Sequence, residues 1–291
     1  MDKRRIKYGI AAFIDILGFS EKVSGVGSEN DLAAIEKTVG FVQGEFEYRP
    51  KDQLQKSSHK IIEKTVLAFT DCLIIFVPAK SRATQSSGSF DVLVQEIDSL
   101  GLGQGSCVLN GHFLRGGVAQ GYWYKKKDTL ISSAQVAAYK IESKDVLVPM
   151  VGIAEDLYRL LETHPGRRFY SSDIEPLKRI IIERPHPETS KPMWLINYFR
   201  ICLESVGEAL TAQERAELKS ATPDRRDEIL SNAHYRTCVE FADQHRKVVE
   251  NALNAAPAGR IKAKYEWLAN YHNDVIKTFF KQPPSHLLIT I

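Results

Sequence analysis

Hydrophobic and polar positions change period several times along the first half of the chain. Residues 8–17, YGIAAFIDIL, form an apolar run of strand length that stops at Gly18. From SEND at 28–31, where Ser28 and Asp31 make a capping-box pattern, Leu32, Ile35, Val39, Val42 and Phe46 recur at helical spacing. TVLAFTDCLIIFVP at 65–78 is rich in β-formers and interrupted only by Thr70 and Asp71, which predicts two strands meeting at a tight turn. A loop rich in Ser and Lys follows. Phe90, Leu93, Val94, Ile97 and Leu100 then share one face of a helix predicted over 90–100. CVLNGHFLRGGVAQGYWY at 107–124 has strand character, and with TLISS it predicts a hairpin around the lysines at 125–127. A helix is predicted over AQVAAYKIES, 134–143.

This order, β-α-β-β-α followed by a strand from 107, is the ferredoxin-like βαββαβ arrangement: an α+β fold with an antiparallel sheet. After about residue 145 the pattern predicts a strand VLVPMVGIA, a helix EDLYRLLETH and a strand MWLINYF at 193–199. The remaining residues alternate helical stretches with breaks at TPDRR and APAGR, and no internal repeat is present. The expected organisation is a catalytic domain over 1–200 and a helical C-terminal appendage over 201–291, serving in packing or dimerisation.

Composition narrows the class without naming a function. With 291 residues, 43% hydrophobic and 26% charged, the chain has the make-up of an ordinary globular protein. A formal net charge of +3 gives no reason to expect a nucleic-acid partner. The run Lys125 to Lys127 reads as a solvated hairpin tip or an anion-attracting rim. Cys72, Cys107, Cys202 and Cys238 lie far apart with no C-x-x-C pair, so neither a disulfide framework nor a zinc site is indicated, and a reducing cytoplasm is expected. The start MDKRRIKYGI is basic, but the apolar stretch after it is short and carries an acid, unlike a signal peptide. No window reaches the roughly 18 apolar residues that a membrane helix needs. The eight histidines show no H-E-x-x-H spacing.

Chemistry enters with Asp15, a lone carboxylate inside FIDIL. An ionised carboxylate in apolar surroundings must be paired, hydrogen-bonded, neutralised or bound to a cation. In a βαββαβ sheet the first strand lies beside the third, so Asp15, late in the first, and Asp71, at the start of the third, converge. Two carboxylates close together repel, and a divalent metal removes the conflict. Magnesium is often held by one or two carboxylates plus substrate phosphates, and paired metals serve in-line displacement at phosphorus. The pair therefore suggests phosphoryl or nucleotidyl transfer. A structural aspartate bonded to a turn or an arginine is the plainer alternative for either residue alone. Arg115, between Leu114 and two glycines, is expected to reach into a cleft toward phosphate or a carboxylate. GYWY at 121–124 reads as a two-sided strand, or as a base-stacking or dimer surface.

Three motifs carry a resemblance to a known family. FIDILGFS is similar to the first metal-binding segment of class III nucleotidyl cyclases, F-x-D-I-x-G-F-[ST], matching at Phe13, Asp15, Ile16, Gly18, Phe19 and Ser20. FTDCLIIF resembles their second segment, a hairpin whose turn carries the other metal aspartate. FLRGGVAQG resembles their R-x-G-[IV]-x-x-G strand at Arg115, Gly117, Val118 and Gly121. The resemblance spans roughly residues 8–143.

It implies that Asp15 and Asp71, with the Ile16 carbonyl, hold two divalent ions, Mg2+ or Mn2+. The amides of Leu17, Gly18, Phe19 and Ser20 would cradle a triphosphate, and the ribose 3′-oxygen would attack the α-phosphorus and expel pyrophosphate. Where adenylate cyclases of this class read adenine with a Lys, this chain has Leu67, with Phe69 nearby in the expected base region. In place of the transition-state arginine the candidates are Tyr139, with Gln135 before it, or Lys140. This altered set most resembles the bacterial pyrimidine nucleotide cyclases of the Pycsar anti-phage system. That resemblance implies UTP conversion to cyclic UMP, with CTP to cyclic CMP next. It also implies a product acting on a separate cyclic-nucleotide-binding effector, and a head-to-tail homodimer with sites at the interface. Alternatives are an adenylate or guanylate cyclase, a non-catalytic nucleotide-binding module, and a polymerase-like palm, the last disfavoured because no basic template groove is apparent.

Overall fold

A strand that is apolar on both sides needs cover on both sides, and the sheet built around YGIAAFIDIL provides it. The structure is a computed structural model in which residues 6–47, 61–127, 129–170 and 175–291 are described. The basic start MDKRR lies outside them. The chain divides into two compact units, Met1–Tyr198 and Phe199–Ile291.

In the first unit β1 (Ile6–Ile16) pairs antiparallel with β3 (Cys72–Pro78) on one side and with β4 (Leu114–Lys126) on the other, and β2 (Thr65–Phe69) closes onto β3. Between β1 and β2 lie α1 (Phe19–Ser24) and α2 (Glu29–Phe46), and between β3 and β4 lie α3 (Arg82–Ser87) and α4 (Ser89–Leu109). The order β2-β3-β1-β4 is the ferredoxin-like one. β5 (Thr129–Ser132) folds back on β4 as the expected hairpin, with Lys126 opposite Thr129. The sheet then continues from β4 through β6 (Val151–Ile153) and β8 (Pro192–Ile196) to β7 (Ile181–Pro185), only the β4–β6 contact being parallel.

The register separates two faces. Ala12, Ile14 and Ile16 point one way and are buried, while Ala11, Phe13 and Asp15 point the other way. On that second face Ala11, Ile74, Phe76, Trp123 and Ala134 form a compact core, Trp123 stacking on Phe76 at 4.6 Å. Ala134 belongs to α5 (Ser133–Lys140), which lies across β4 and β1 with Ser132 as its cap. Its axis can come close because Gly117 has no side chain: a Cβ there would overlap the Ala138 carbonyl and crowd Ile141.

Several elements differ from the sequence expectation. The helix predicted over 90–100 runs on to Leu109, so the strand expected from 107 begins only at Leu114, and the glycines at 101, 103 and 105 are buried within the helix. A Cβ on Gly103 would meet the Phe46 ring at 2.7 Å, so that glycine lets α2 and α4 approach. The loop before α4 holds α3, closed by a Ser81–Thr84 capping box. Ser28 caps α2 through the Asp31 N–H, whereas Leu32 on the expected apolar stripe is exposed and only Val42 and Phe46 are buried. The helix over 134–143 turns at Ile141 into a π-turn, Ile141–Asp145. VLVPMVGIA contributes only the three residues of β6, and EDLYRLLETH gives α6 (Glu155–Glu162). α7 (Pro176–Ile180) and β7 were not anticipated, and MWLINYF ends as a strand at Ile196, Tyr198 opening α8 (Tyr198–Ser205).

The second unit is helical. α9 (Ala212–Glu217) precedes α10 (Pro223–Ala255), which opens at the proline of TPDRR. α10 packs along α11 (Arg260–Phe279), and APAGR makes the turn between them. No helix among the described residues is long and apolar enough to cross a membrane.

Candidate functional site

The strand register builds the site. Asp15 lies opposite Cys72 on one neighbour and opposite Arg115 on the other, so all three project from the face that carries α5. Asp71 occupies the β2–β3 turn. Its backbone carbonyl accepts the Ile16 N–H at 3.2 Å, which ties the turn to the end of β1, and its carboxylate accepts the Thr70 hydroxyl at 2.7 Å. Thr70 has φ 48°, a left-handed conformation that costs a β-branched residue about 1–3 kcal/mol and recurs at functional sites.

The two carboxyls are within hydrogen-bonding reach of each other, as the topology argument required. Burial first, then the neighbouring charges of Glu142 and Asp71, push Asp15 up to about 6 despite the opposing pull of Arg115. The same burial and the same acids raise the Cys72 thiol, which keeps it protonated. Asp15 is nevertheless not in the deep core, since about a quarter of its side chain (24%) reaches solvent. FIDIL looks wholly buried in the sequence because its other neighbours serve the core on both faces.

Arg115 has two acidic neighbours. Its guanidinium contacts the carboxylate of Glu142 directly and stands 3.8 Å from Asp15. Glu142 is 3% exposed and arrives from the π-turn after α5. The sequence reading did not single it out. An acid near the end of a helical run reads as solvated, and the usable signal was its place one residue after Ile141, which packs over Gly117 and Gly152. The Arg115 Nε is buried with no hydrogen-bond partner.

The other candidates separate. The Leu17 N–H donates to the Phe113 carbonyl at 2.9 Å, so it is committed to the scaffold and drops out of the expected amide cradle. Gly18, at φ 74°, breaks the strand and opens α1, whose first residues are Phe19 and Ser20. Leu67 shares the Asp15 face and packs partly against the Trp123 core, while Phe69, opposite Cys72, is about half exposed. Tyr139 and Lys140 point to different flanks of α5. The Tyr139 ring meets Phe13 edge-on at 5.3 Å, on the side of the acids. Lys140 lines a cavity of about 560 Å3 with Lys144, His186, Lys191 and Trp194. The structure thus brings Asp15, Asp71 and Arg115 together and leaves Lys140 apart from them.

Among the described residues no three His, Cys, Asp or Glu side chains converge to hold a metal. The donor set on offer is two carboxylates with open coordination, a set suited to a hard cation that shares its ligands with a phosphate substrate.

No family model matches the chain, and no curated protein matches it. Among solved structures it is similar to a bacterial light-regulated adenylyl cyclase, at 11% identity and TM-score 0.41 over 66% of this chain and 91% of that one. It is also similar to the adenylyl cyclase CyaB from P. aeruginosa, at 14% identity and TM-score 0.38 over 66% and 94%. A third is the guanylyl cyclase domain of the RhoGC fusion protein from the aquatic fungus Blastocladiella emersonii, at 13% and 0.36 over 66% and 95%. Likeness at this level does not bear on activity or substrate.

Proposed function

We propose that the protein is a metal-dependent nucleotide cyclase that converts a pyrimidine nucleoside triphosphate, UTP before CTP, to the 3′,5′-cyclic monophosphate and pyrophosphate. The observation that carries the reading is the convergence of Asp15 and Asp71 beside an arginine whose buried Nε has no partner. A carboxyl raised to about 6, first by burial and then by the charges of Glu142 and Asp71, is a standing cost, which a divalent cation would offset. Mg2+ or Mn2+ fits this oxygen donor set, with the Ile16 carbonyl as a further ligand. Bound there, the ions would supply Lewis acidity to the triphosphate and to the attacking 3′-oxygen.

The chain's own residues do the rest. The Gly18, Phe19 and Ser20 amides hold phosphate oxygens at the strand-to-helix turn, and Arg115 offers its unpaired Nε–H toward the same charge. Leu67 presents an apolar edge where a lysine would read adenine, which removes that contact to a purine. Tyr122, Ile131, Val136 and Tyr139 are all at least half exposed, and a second copy of the chain covering them would bring α5 of one copy to the acids of the other. Lys140, one of the lysines lining the basic cavity, then takes the place of the transition-state arginine, with Tyr139 as the packing residue beside it. In this reading the cyclic product signals to a separate cyclic-nucleotide-binding effector in anti-phage defence.

The test is direct. Purified protein is incubated with ATP, GTP, CTP and UTP separately, with Mn2+ or Mg2+, and products are identified by mass spectrometry beside Asp71→Asn. A cyclic pyrimidine monophosphate absent from the variant supports the reading. A cyclic purine product replaces the pyrimidine assignment, and no product with any nucleotide removes the enzymatic one.

A further inference from the structure

We infer that Glu142 is a positioning residue: it holds Arg115 away from Asp15 and so keeps the Asp15–Asp71 pair open to a cation. The inference rests on the metal-binding half of the proposed function. Arg115 and Asp15 are directly opposed across antiparallel strands, where side chains of opposite charge normally close on each other. Here they do not. The guanidinium contacts Glu142, and its nearest approach to Asp15 is 3.8 Å.

Glu142 is built to do this. It is buried, it arrives on a π-turn, and the turn is pressed onto the sheet through Ile141, which packs where Gly117 and Gly152 carry no side chain. A buried carboxylate whose partner is a guanidinium is a committed charge, so Glu142 is not free to serve as a third metal ligand. Without it, Arg115 has one acid left to pair with. Closing on Asp15 would place a fixed positive charge where the cation must sit.

The experiment is Mn2+ binding to the full chain, with free Mn2+ followed by electron paramagnetic resonance. It compares wild type with E142Q, R115M, the double variant E142Q/R115M, and D71N. Near-ultraviolet circular dichroism and a melting curve are recorded for each. E142Q is expected to weaken Mn2+ binding about tenfold or more, the scale of residues that orient a metal's ligands. In the double variant no guanidinium is left to close on Asp15, so its affinity should return to within about threefold of wild type, by the additivity argument for residues acting through one another.

A double variant as weak as E142Q would mean that Glu142 acts on the metal directly, and would overturn the inference. E142Q binding as tightly as wild type would overturn it as well. Should E142Q fail to fold, E142D keeps the charge but withdraws it from Arg115 by one methylene, and the same weakening is expected. The failure of the underlying reading looks different. Wild type that binds no Mn2+, or D71N that binds it unchanged, removes the metal site itself, whereas loss in D71N with none in E142Q removes only the role of Glu142.

Discussion

Two clusters of polar side chains, one in each unit of the chain, are finished to different degrees. In the helical unit, His245 and His272 are fully buried and stack on Phe199, with ring centroids 4.0 and 4.9 Å from it. His272 Nε2 lies 2.8 Å from the Leu287 carbonyl and must donate to it, which leaves Nδ1 as an acceptor for the His245 Nδ1–H at 2.9 Å. One tautomer satisfies both contacts with neutral rings. In the sheet unit, Asp15, Asp71, Glu142 and Arg115 leave one buried donor without a partner and one carboxyl pushed up to about 6. A polar cluster that closes on itself holds a fold. One left open, and strained at Thr70, is what the proposed cation site requires.

The comparison breaks most visibly at Asp71. Asp71→Asn should lower cyclisation by two or more decades, several kcal/mol of transition-state stabilisation being at stake in a metal site. It should leave the melting temperature equal or higher, because it relieves the repulsion with Asp15. Steady-state rates beside a thermal melt check both halves. A large loss of stability would make Asp71 a structural residue of the turn.

The histidine pair predicts a pH dependence of the opposite kind. Burial holds His272 down to about 4, and His245, also facing His272, well below its ordinary value. Arg246 opposes protonation of His272, and only the Leu287 carbonyl favours it. A depressed base is neutral when folded and protonated when unfolded, so the unfolded state binds the extra protons. Stability is therefore intact above about pH 6.5 and falls as pH drops toward 4. His272 alone accounts for about 3 kcal/mol across that window. Urea melts between pH 4 and 7.5 would show the slope, and His272→Gln should flatten it. A slope unchanged in that variant would place the acid sensitivity elsewhere.

Gly117 tests how tightly the open cluster is framed. Gly117→Ala puts a methyl into the Ala138 carbonyl, for a cost of about 1–3 kcal/mol, whereas Gly44→Ala on α2 meets nothing within 4 Å and should gain up to about 1 kcal/mol. Differential scanning fluorimetry reads the contrast. Equal effects would mean that α5 and its π-turn are not pressed onto the sheet as tightly as the backbone shows.

How much of this was legible in the sequence depended on what each residue's neighbours were doing. β1, the β2–β3 hairpin and the β4–β5 hairpin were readable because period and turn residues agreed, and the pairing of Asp15 with Asp71 followed from strand order alone. The extension of α4 was hidden because glycines are poor helix formers, whereas Gly103 is where α4 takes the Phe46 ring of α2. Glu142 was hidden because burial of an acid depends on a π-turn and on two glycines from separate strands, none of which is local information. The histidine pair was hidden for a related reason: its members are 27 residues apart on two helices, and each alone is an unremarkable core histidine.

The smallest effect falls at Tyr139, and it sharpens the division between the flanks of α5. The ring packs edge-on against Phe13, a contact made by carbon atoms, so Tyr139→Phe keeps the packing and removes only a hydroxyl. Stability should change by less than about 0.5 kcal/mol, the usual range for a half-exposed position. Activity should stay within a few-fold of wild type. Lys140→Ala, on the cavity side, should also leave stability near its starting point, because that side chain is exposed, yet lose far more activity if the cation stabilises the transition state. Rates measured for both variants at saturating nucleotide decide between them. A large loss in Tyr139→Phe with none in Lys140→Ala would make the phenol hydroxyl the catalytic group and the basic cavity incidental.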